Sequence, residues 1–211
     1  MPILKGAVTL SRFRVEAEPA ALTAARKMAG ELLRSRAFEP LDLSRPEERV
    51  HGFVEFADKE STGFDPGTVH EAGRALFTFR VDELRIPSAL VKSELERWIK
   101  KFQQEQERPP GRREKHDAKQ EIRHTLRSRS PVLTRLVDVA WDQEAGRVEI
   151  WAGARKAVDE VQSAVEQLFK VKLLPQAPAV VAMGLGMSEK SLAPTAALSL
   201  PDEEGGHGRA S

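Results

Sequence analysis

Alternation of apolar and polar residues along the chain predicts its strands. The pattern is clearest from Ala75 to Leu84, where Phe77, Phe79 and Val81 fall on one side of an extended backbone and mostly polar residues on the other. Further stretches of strand character predict strands at 3–15, 51–56, 132–141, 147–151 and 171–174. The third and fourth of these flank a short glycine-containing turn, which predicts a β-hairpin.

Apolar residues at helical spacing predict four helices, at 19–36, 88–107, 112–127 and 154–169. In the second helix Val91, Leu95, Trp98 and Phe102 form one apolar stripe, whereas the third helix has thin apolar content. The run Pro109-Pro110-Gly111 separates these two helices, so a helical hairpin is predicted. Helices interspersed with hairpin-connected strands are typical of the α+β class, with a mainly antiparallel sheet and packed helices.

The predicted elements divide the chain into four parts. Residues 1–86 form an N-terminal α+β part, residues 87–130 a basic helical hairpin, and residues 131–175 a part built from a β-hairpin, a helix and a strand. Residues 176–211 turn to Ala, Pro, Gly and Ser, and we expect this tail to be largely disordered.

Composition excludes several kinds of chemistry. The chain has no cysteine, which rules out disulfides, thiolate metal sites and cysteine nucleophiles. No stretch approaches the ~20 consecutive apolar residues that cross a bilayer, and residues 1–10 lack the apolar run of a signal peptide. We therefore expect a soluble, cytoplasmic protein without membrane contact.

Charge is distributed unevenly along the chain. The net charge of the whole chain is only +1. Between Arg85 and Arg135, however, fourteen Lys or Arg residues stand against seven Asp or Glu residues, so this segment carries +7 and the remainder −6. An argument for nucleic-acid binding must therefore rest on this local excess and not on a basic field of the whole protein.

The predicted helix over 112–127 concentrates these cations. Lys115, Lys119, Arg123 and Arg127 recur every four residues, a step of about 40° around an α-helix, and so form one winding stripe. Such a stripe can follow DNA phosphates and gain affinity by releasing counterions, without sequence preference. With their neighbours in the chain they make seven candidate DNA-binding residues: Arg112, Arg113, Lys115, Lys119, Arg123, Arg127 and Arg129.

The alternative for this helix is a solvated face crossed by i,i+4 ion pairs. Glu114, Asp117 and Glu121 are available to make them. Base stacking has little support, because residues 103–140 contain no aromatic side chain. Charge alone leaves both interpretations open.

Other chemistry has weaker support. His116 and His124 are the histidines that could share a helix face, but they lack an acidic partner at ligand spacing. Four carboxylates surround the predicted β-hairpin, at Asp138, Asp142, Glu144 and Glu149, and a solvated hairpin explains them better than a nuclease metal site. We expect no catalytic residue, no metal, no cofactor and no enzymatic activity.

One family shares the pattern of the basic segment. The shared residues are the run Arg85-Ile-Pro-Ser-Ala-Leu-Val-Lys92, then Glu114-Lys115, Lys119, Glu121-Ile122, His124, Leu126 and Arg129, and further on Ala154-Arg-Lys-Ala157 with Asp159. With these residues the chain resembles the RdgC family of bacterial recombination-associated proteins. The resemblance covers residues 1–175, and it is specific mainly between Leu84 and Asp159.

The resemblance implies a fold with a protruding helical hairpin and a function in recombination. RdgC proteins form ring-shaped dimers whose basic central hole admits duplex DNA. They bind DNA with little sequence preference, restrain RecA-driven strand exchange, associate with the nucleoid and have no established catalytic activity. The residues that match the family's basic helical region are Lys115, Lys119 and Arg129.

Two departures from the family pattern leave alternatives open. Ser130-Pro131 stands where many relatives carry an Ala-Phe pair, and typical relatives continue well beyond the point that matches Pro175. Because that later part helps to close the ring, the resemblance leaves the assembly of this short form open between a closed ring, an open dimer and a different assembly. A protein–protein adaptor on the same scaffold is the alternative function, and a metal-dependent nuclease is the third.

Overall fold

The computed structural model describes residues 9–188, and within them one sheet and seven helices account for the secondary structure. The strands lie in the order β2-β4-β5-β6-β1-β7, with β3 paired to β4. The elements in chain order are β1 (Ser11–Glu16), α1 (Pro19–Lys27), α2 (Ala29–Ser35), β2 (Arg49–Glu55), α3 (Pro66–Val69), β3 (His70–Glu71), β4 (Arg74–Leu84), α4 (Ser88–Gln106), α5 (Arg112–Arg127), β5 (Val132–Asp142), β6 (Arg147–Trp151), α6 (Arg155–Phe169), β7 (Lys172–Pro175) and α7 (Pro178–Gly184). The predicted α+β class with a mainly antiparallel sheet is confirmed.

The single helix predicted over 19–36 is wrong, because the chain forms two helices there. The break lies at Met28, where φ is −112° and ψ is 18°. Just after it, the position of a Cβ on Gly30 would lie 2.3 Å from the carbonyl oxygen of Phe64. A helix turn therefore packs directly on the loop before α3, an approach that a larger side chain would prevent.

The core lies between one face of the sheet and α6. Trp141 of β5 meets Phe169 of α6 edge to face, with ring centroids 4.9 Å apart, and Phe77 of β4 lies 6.0 Å from the same ring. Both strands present alternate residues to this core, as the period of an extended chain requires. The burial of these large aromatic rings supplies much of the apolar area that drives folding.

The opposite face of the sheet carries buried polar and charged side chains among apolar ones, and we call it the polar face. Its buried polar residues are Thr78, Asp82, Asp138 and Glu149. Lys59 lies 2.8 Å from Asp138 through its ammonium group, and Arg80 lies 3.1 Å from Asp82 through its guanidinium. These carboxylates are thus buried with a cationic partner, which is the condition for burying a charge at moderate cost.

The helical hairpin projects from one end of the sheet. Strands β4 and β5 pair along their whole length, from Arg74 opposite Asp142 to Leu84 opposite Val132. Helices α4 and α5 connect these strands at the end marked by Leu84 and Val132. Each of the two helices has its most extensive contacts with the other. The predicted parts 1–86 and 131–175 therefore share one sheet, and the part between them is an excursion from it.

The chain separates into a unit of residues 1–174 and a unit of residues 175–211. The second unit contains the short helix α7, which lies within the part predicted to be largely disordered. The rest of the predicted disorder, from 189 on, lies outside the described residues. Among residues 9–188, no helix combines the length and the apolar character needed to cross a bilayer.

Candidate nucleic-acid interface

The basic helix α5 packs on α4 through a narrow apolar strip. On α4, the rings of Trp98 and Phe102 lie 5.1 Å apart and are half-buried. On α5, Ala118 and Leu126 are the buried apolar residues. Because these lie on one side of the helix, most of the circumference of α5 remains available to polar side chains.

A carboxylate closes the turn between the two helices. Glu114 accepts two hydrogen bonds from the guanidinium of Arg108, at 3.0 and 2.7 Å, and one from the backbone N–H of Gly111 at 2.7 Å. These bonds favour the charged carboxylate, Arg108 most of all, and lower the pKa of Glu114 to about 2. The guanidinium of Arg108 also lies 5.0 Å from the ring centroid of Phe102. The tip of the hairpin is thereby tied to both helices.

The positive stripe and two acidic residues lie on different flanks of α5. At about 100° per residue, the stripe from Lys115 to Arg127 occupies roughly 120° of the helix. Asp117 and Glu121 lie about 200° and 240° from Lys115, on the other flank. No ion pair joins two residues of α5, all of which the structure describes. The alternative of a face crossed by i,i+4 ion pairs is therefore not what the structure forms.

Five of the seven predicted residues are exposed and make no ion pair within residues 9–188. They are Arg112, Arg113, Lys115, Lys119 and Arg129. The first four occupy the half of α5 that is far from the sheet, and the fifth follows the helix end. We call these five residues the exposed cations of α5. Their positive charge is uncompensated by neighbours, so it is available to an anionic partner.

Arg127 departs from the prediction. Its side chain is 7% exposed. It donates hydrogen bonds to carbonyl oxygens of Leu43 at 3.1 Å, Pro46 at 3.2 Å and Glu47 at 2.7 Å, and a further one to that of Arg45. A guanidinium used in this way holds the loop before β2 with four of its five N–H groups, and its burial keeps it away from a phosphate, so we remove Arg127 from the candidate site.

Arg123 occupies an intermediate position. Its guanidinium lies 2.5 Å from a carboxylate oxygen of Glu48, and both side chains are partly exposed. The positive stripe thus ends against the loop that precedes β2. Nothing in the four-residue spacing distinguishes Arg123 and Arg127 from Lys115 and Lys119, because the contacts that separate them come from a distant part of the chain.

Arg108 is the residue of this surface that spacing did not select. It lies outside the predicted helices. A local signal that could have indicated a polar contact at the tip is Glu114, three residues after Gly111 in the pattern of a helix N-terminus. Both histidines predicted to be non-ligands, His116 and His124, are exposed on α5. Among the described residues, no group of three or more His, Asp or Glu side chains could hold a metal ion.

Comparison of the sequence with models of known families gives a match that covers almost all of the described residues. Residues 9–187 match the family model described as "Putative exonuclease, RdgC". The chain belongs to the RdgC family. The RdgC match spans every element from β1 to α7, and it confirms the resemblance seen in the sequence. No curated protein matches the chain.

Proposed function

We propose that this RdgC-family protein binds DNA without sequence preference through the exposed cations of α5. The observation that carries the proposal is the arrangement of charge on that helix: the stripe from Lys115 to Arg127 lies on one flank, Asp117 and Glu121 lie on the other, and the exposed cations lack ion pairs within the described residues. A surface of this kind favours phosphates, and phosphates carry no sequence information.

The proposal extends to the biological setting that RdgC membership supports. A protein that occupies duplex DNA non-specifically limits the access of a recombinase, and we propose that restraint of RecA-driven strand exchange is the consequence. A homodimer associated with the nucleoid fits this role. Each of these statements depends on DNA binding, which is therefore the property to measure first.

The experiment is a titration of a labelled ~30-base-pair duplex, followed by fluorescence anisotropy at several salt concentrations. Five phosphate contacts predict that log K falls with log salt at a slope of at least about 4.5 in magnitude. Two duplexes of unrelated sequence should give the same affinity at each salt concentration. A clear preference for one of them, or no binding at low salt, would contradict the proposal.

A triple variant tests the assignment to α5. Arg112→Gln, Arg113→Gln and Lys119→Gln together should reduce the slope by about 2.7, because three phosphate contacts are lost. The matched control is Arg155→Gln with Lys156→Gln, two exposed cations on α6. We expect that control to leave the slope unchanged.

We also propose that binding occurs without cleavage, although the description of the family contains the word exonuclease. The carboxylates of the polar face already have cationic partners: Asp138 lies 2.8 Å from Lys59, and Glu149 lies 3.0 Å from Arg12. Labelled DNA incubated with the protein and magnesium or manganese should keep its length. Shortening that disappears when Asp138 and Asp142 are changed to Asn would establish a nuclease instead.

A further inference from the structure

A row of charged side chains crosses the polar face at the end of the sheet opposite the hairpin. Cross-strand pairing places Glu71 beside Arg74, Arg74 beside Asp142, Asp142 beside Arg147, and Arg147 beside Arg14. Charges alternate along this row until its last step, where two arginines are direct neighbours. Directly opposed residues of an antiparallel pair have Cβ atoms about 5 Å apart, and like charges there are unfavourable.

The two arginines differ in how their charge is compensated. Arg147 lies 3.5 Å from Asp142 and 3.7 Å from Glu149. Arg14 is exposed and makes no ion pair within residues 9–188. Two like charges are thus paired across the strands, and that of Arg14 is uncompensated. Many polar residues would fit at the position of Arg14 without this repulsion. Such a departure from local consistency is typical of a functional site.

Two more cations lie on the same face, one on β1 and one on the strand next to it. Arg12 precedes Arg14 by two residues on β1, and its side chain is 55% exposed. On β7, the strand next to β1, Leu173 faces the core, so the alternation of a strand turns Lys172 to the polar face, where it is exposed. We call Arg12, Arg14, Arg147 and Lys172 the basic corner.

Few carboxylates oppose the basic corner. On the same face Asp142 and Glu149 lie within ion-pair distance of its arginines, and Glu16 is exposed at the end of β1. On β6, the Nε–H group of Arg147 is buried and has no hydrogen-bond partner within the described residues. The corner therefore contains a hydrogen-bond donor that the described residues do not satisfy.

The basic corner is distinct from the exposed cations of α5. The basic corner lies at the end of the β4–β5 pair that Arg74 and Asp142 mark. The hairpin projects from the other end, which Leu84 and Val132 mark. Ten residues of extended chain separate these ends, which corresponds to about 33 Å. A ligand at one surface therefore does not touch the other unless it is a long polymer.

We propose that the basic corner is a second phosphate-binding surface, which takes the backbone of a nucleic acid. Guanidinium groups bind phosphate through paired N–H donors, and Asp142 and Glu149 hold Arg147 and Arg12 in place while leaving other N–H groups unused. The four cations are spread over three adjacent strands, a width of about 10 Å. A surface of that width suits successive phosphates of one strand better than a single small anion.

The test compares a double variant, which carries both Arg14→Gln and Lys172→Gln, with the wild-type chain. On the labelled 30-base-pair duplex, we expect the salt slope to fall by about 1.8, for two lost contacts. The control Arg155→Gln with Lys156→Gln should not change it. An unchanged slope in the double variant overturns the proposal.

A second variant separates function from folding. Arg14→Glu places an acid opposite Arg147, so the repulsive pair becomes an attractive one and the Tm should rise while the affinity for DNA falls. A purely structural role for Arg14 predicts that the Tm falls and that affinity per folded molecule stays the same. That result, or saturation of the corner by millimolar inorganic phosphate with no response to duplex, would overturn the proposal.

This inference rests on the proposed DNA binding, yet the two fail separately. A slope that falls with the α5 triple variant but not with Arg14→Gln and Lys172→Gln leaves the first proposal standing and removes the second. The reverse pattern moves the DNA contact from α5 to the sheet. If neither variant changes the salt slope, both proposals fail.

Discussion

The two halves of α5 carry similar cations at the same spacing and use them differently. Lys115 and Lys119, far from the sheet, are exposed and have no ion pair within the described residues. Arg123 and Arg127, near the sheet, contact the loop before β2 through a carboxylate and four carbonyl oxygens. The spacing of charges determines which flank of a helix they share, whereas tertiary contacts determine which of them remain available to a ligand.

The largest effect should come from Arg127. Arg127→Met keeps the apolar stem and removes the guanidinium, which leaves several carbonyl oxygens of the 43–47 loop without their donor. We expect the free energy of unfolding to fall by about 3 kcal/mol, as measured by urea denaturation. Lys119→Met, at an exposed position of the same helix, is the matched control and should change it by less than about 0.5 kcal/mol. Equal effects at the two positions would mean that the halves of α5 do not differ as described.

A smaller effect should follow from releasing Arg123. Glu48→Gln removes the carboxylate that lies 2.5 Å from Arg123. One more cation then becomes available to phosphate, so the salt slope of duplex binding should steepen by about 0.9 and the affinity at low salt should rise. Weaker binding in this variant would indicate that the contact with Glu48 positions the stripe and does not mask it.

The smallest effect concerns acidity at the tip of the hairpin. Because Arg108 and Gly111 lower the pKa of Glu114 from 4.5 to about 2, the charged carboxylate stabilises the tip fully above pH 4.5. This contribution is lost as the pH falls through about 2. Amide exchange at Gly111 should therefore accelerate, relative to amides of the sheet, between pH 4.5 and pH 2. Glu114→Gln should show fast exchange at Gly111 already at pH 6, and slow exchange there would contradict the account.

Local sequence features were sufficient to predict the hairpin. The bounds 112–127 of α5 are those predicted, because Pro109-Pro110-Gly111 before it and Pro131 after it are strong breaks and the polar pattern between them is helical. The strand over 75–84 was likewise clear from its alternation. Local sequence patterns are enough to predict an element whose bounds depend on residues close to it in the chain.

Long-range contacts explain what the sequence could not show. The break at Met28 accompanies the fit of Gly30 against Phe64, more than thirty residues later in the chain. Arg127 is buried by a loop about eighty residues before it. The pairing of Arg14 with Arg147 depends on strand register. Each of these features depends on residues that are far apart in the chain, so the pattern of residues within one element does not reveal it.

The salt dependence of duplex binding by two single variants tests the central claim most directly. Lys119→Gln and Arg123→Gln remove one cation each, one helical turn apart on the same stripe. The account predicts that the slope falls by about 0.9 for Lys119→Gln and stays at the wild-type value for Arg123→Gln. An equal fall for both, or a fall for Arg123→Gln alone, would contradict it.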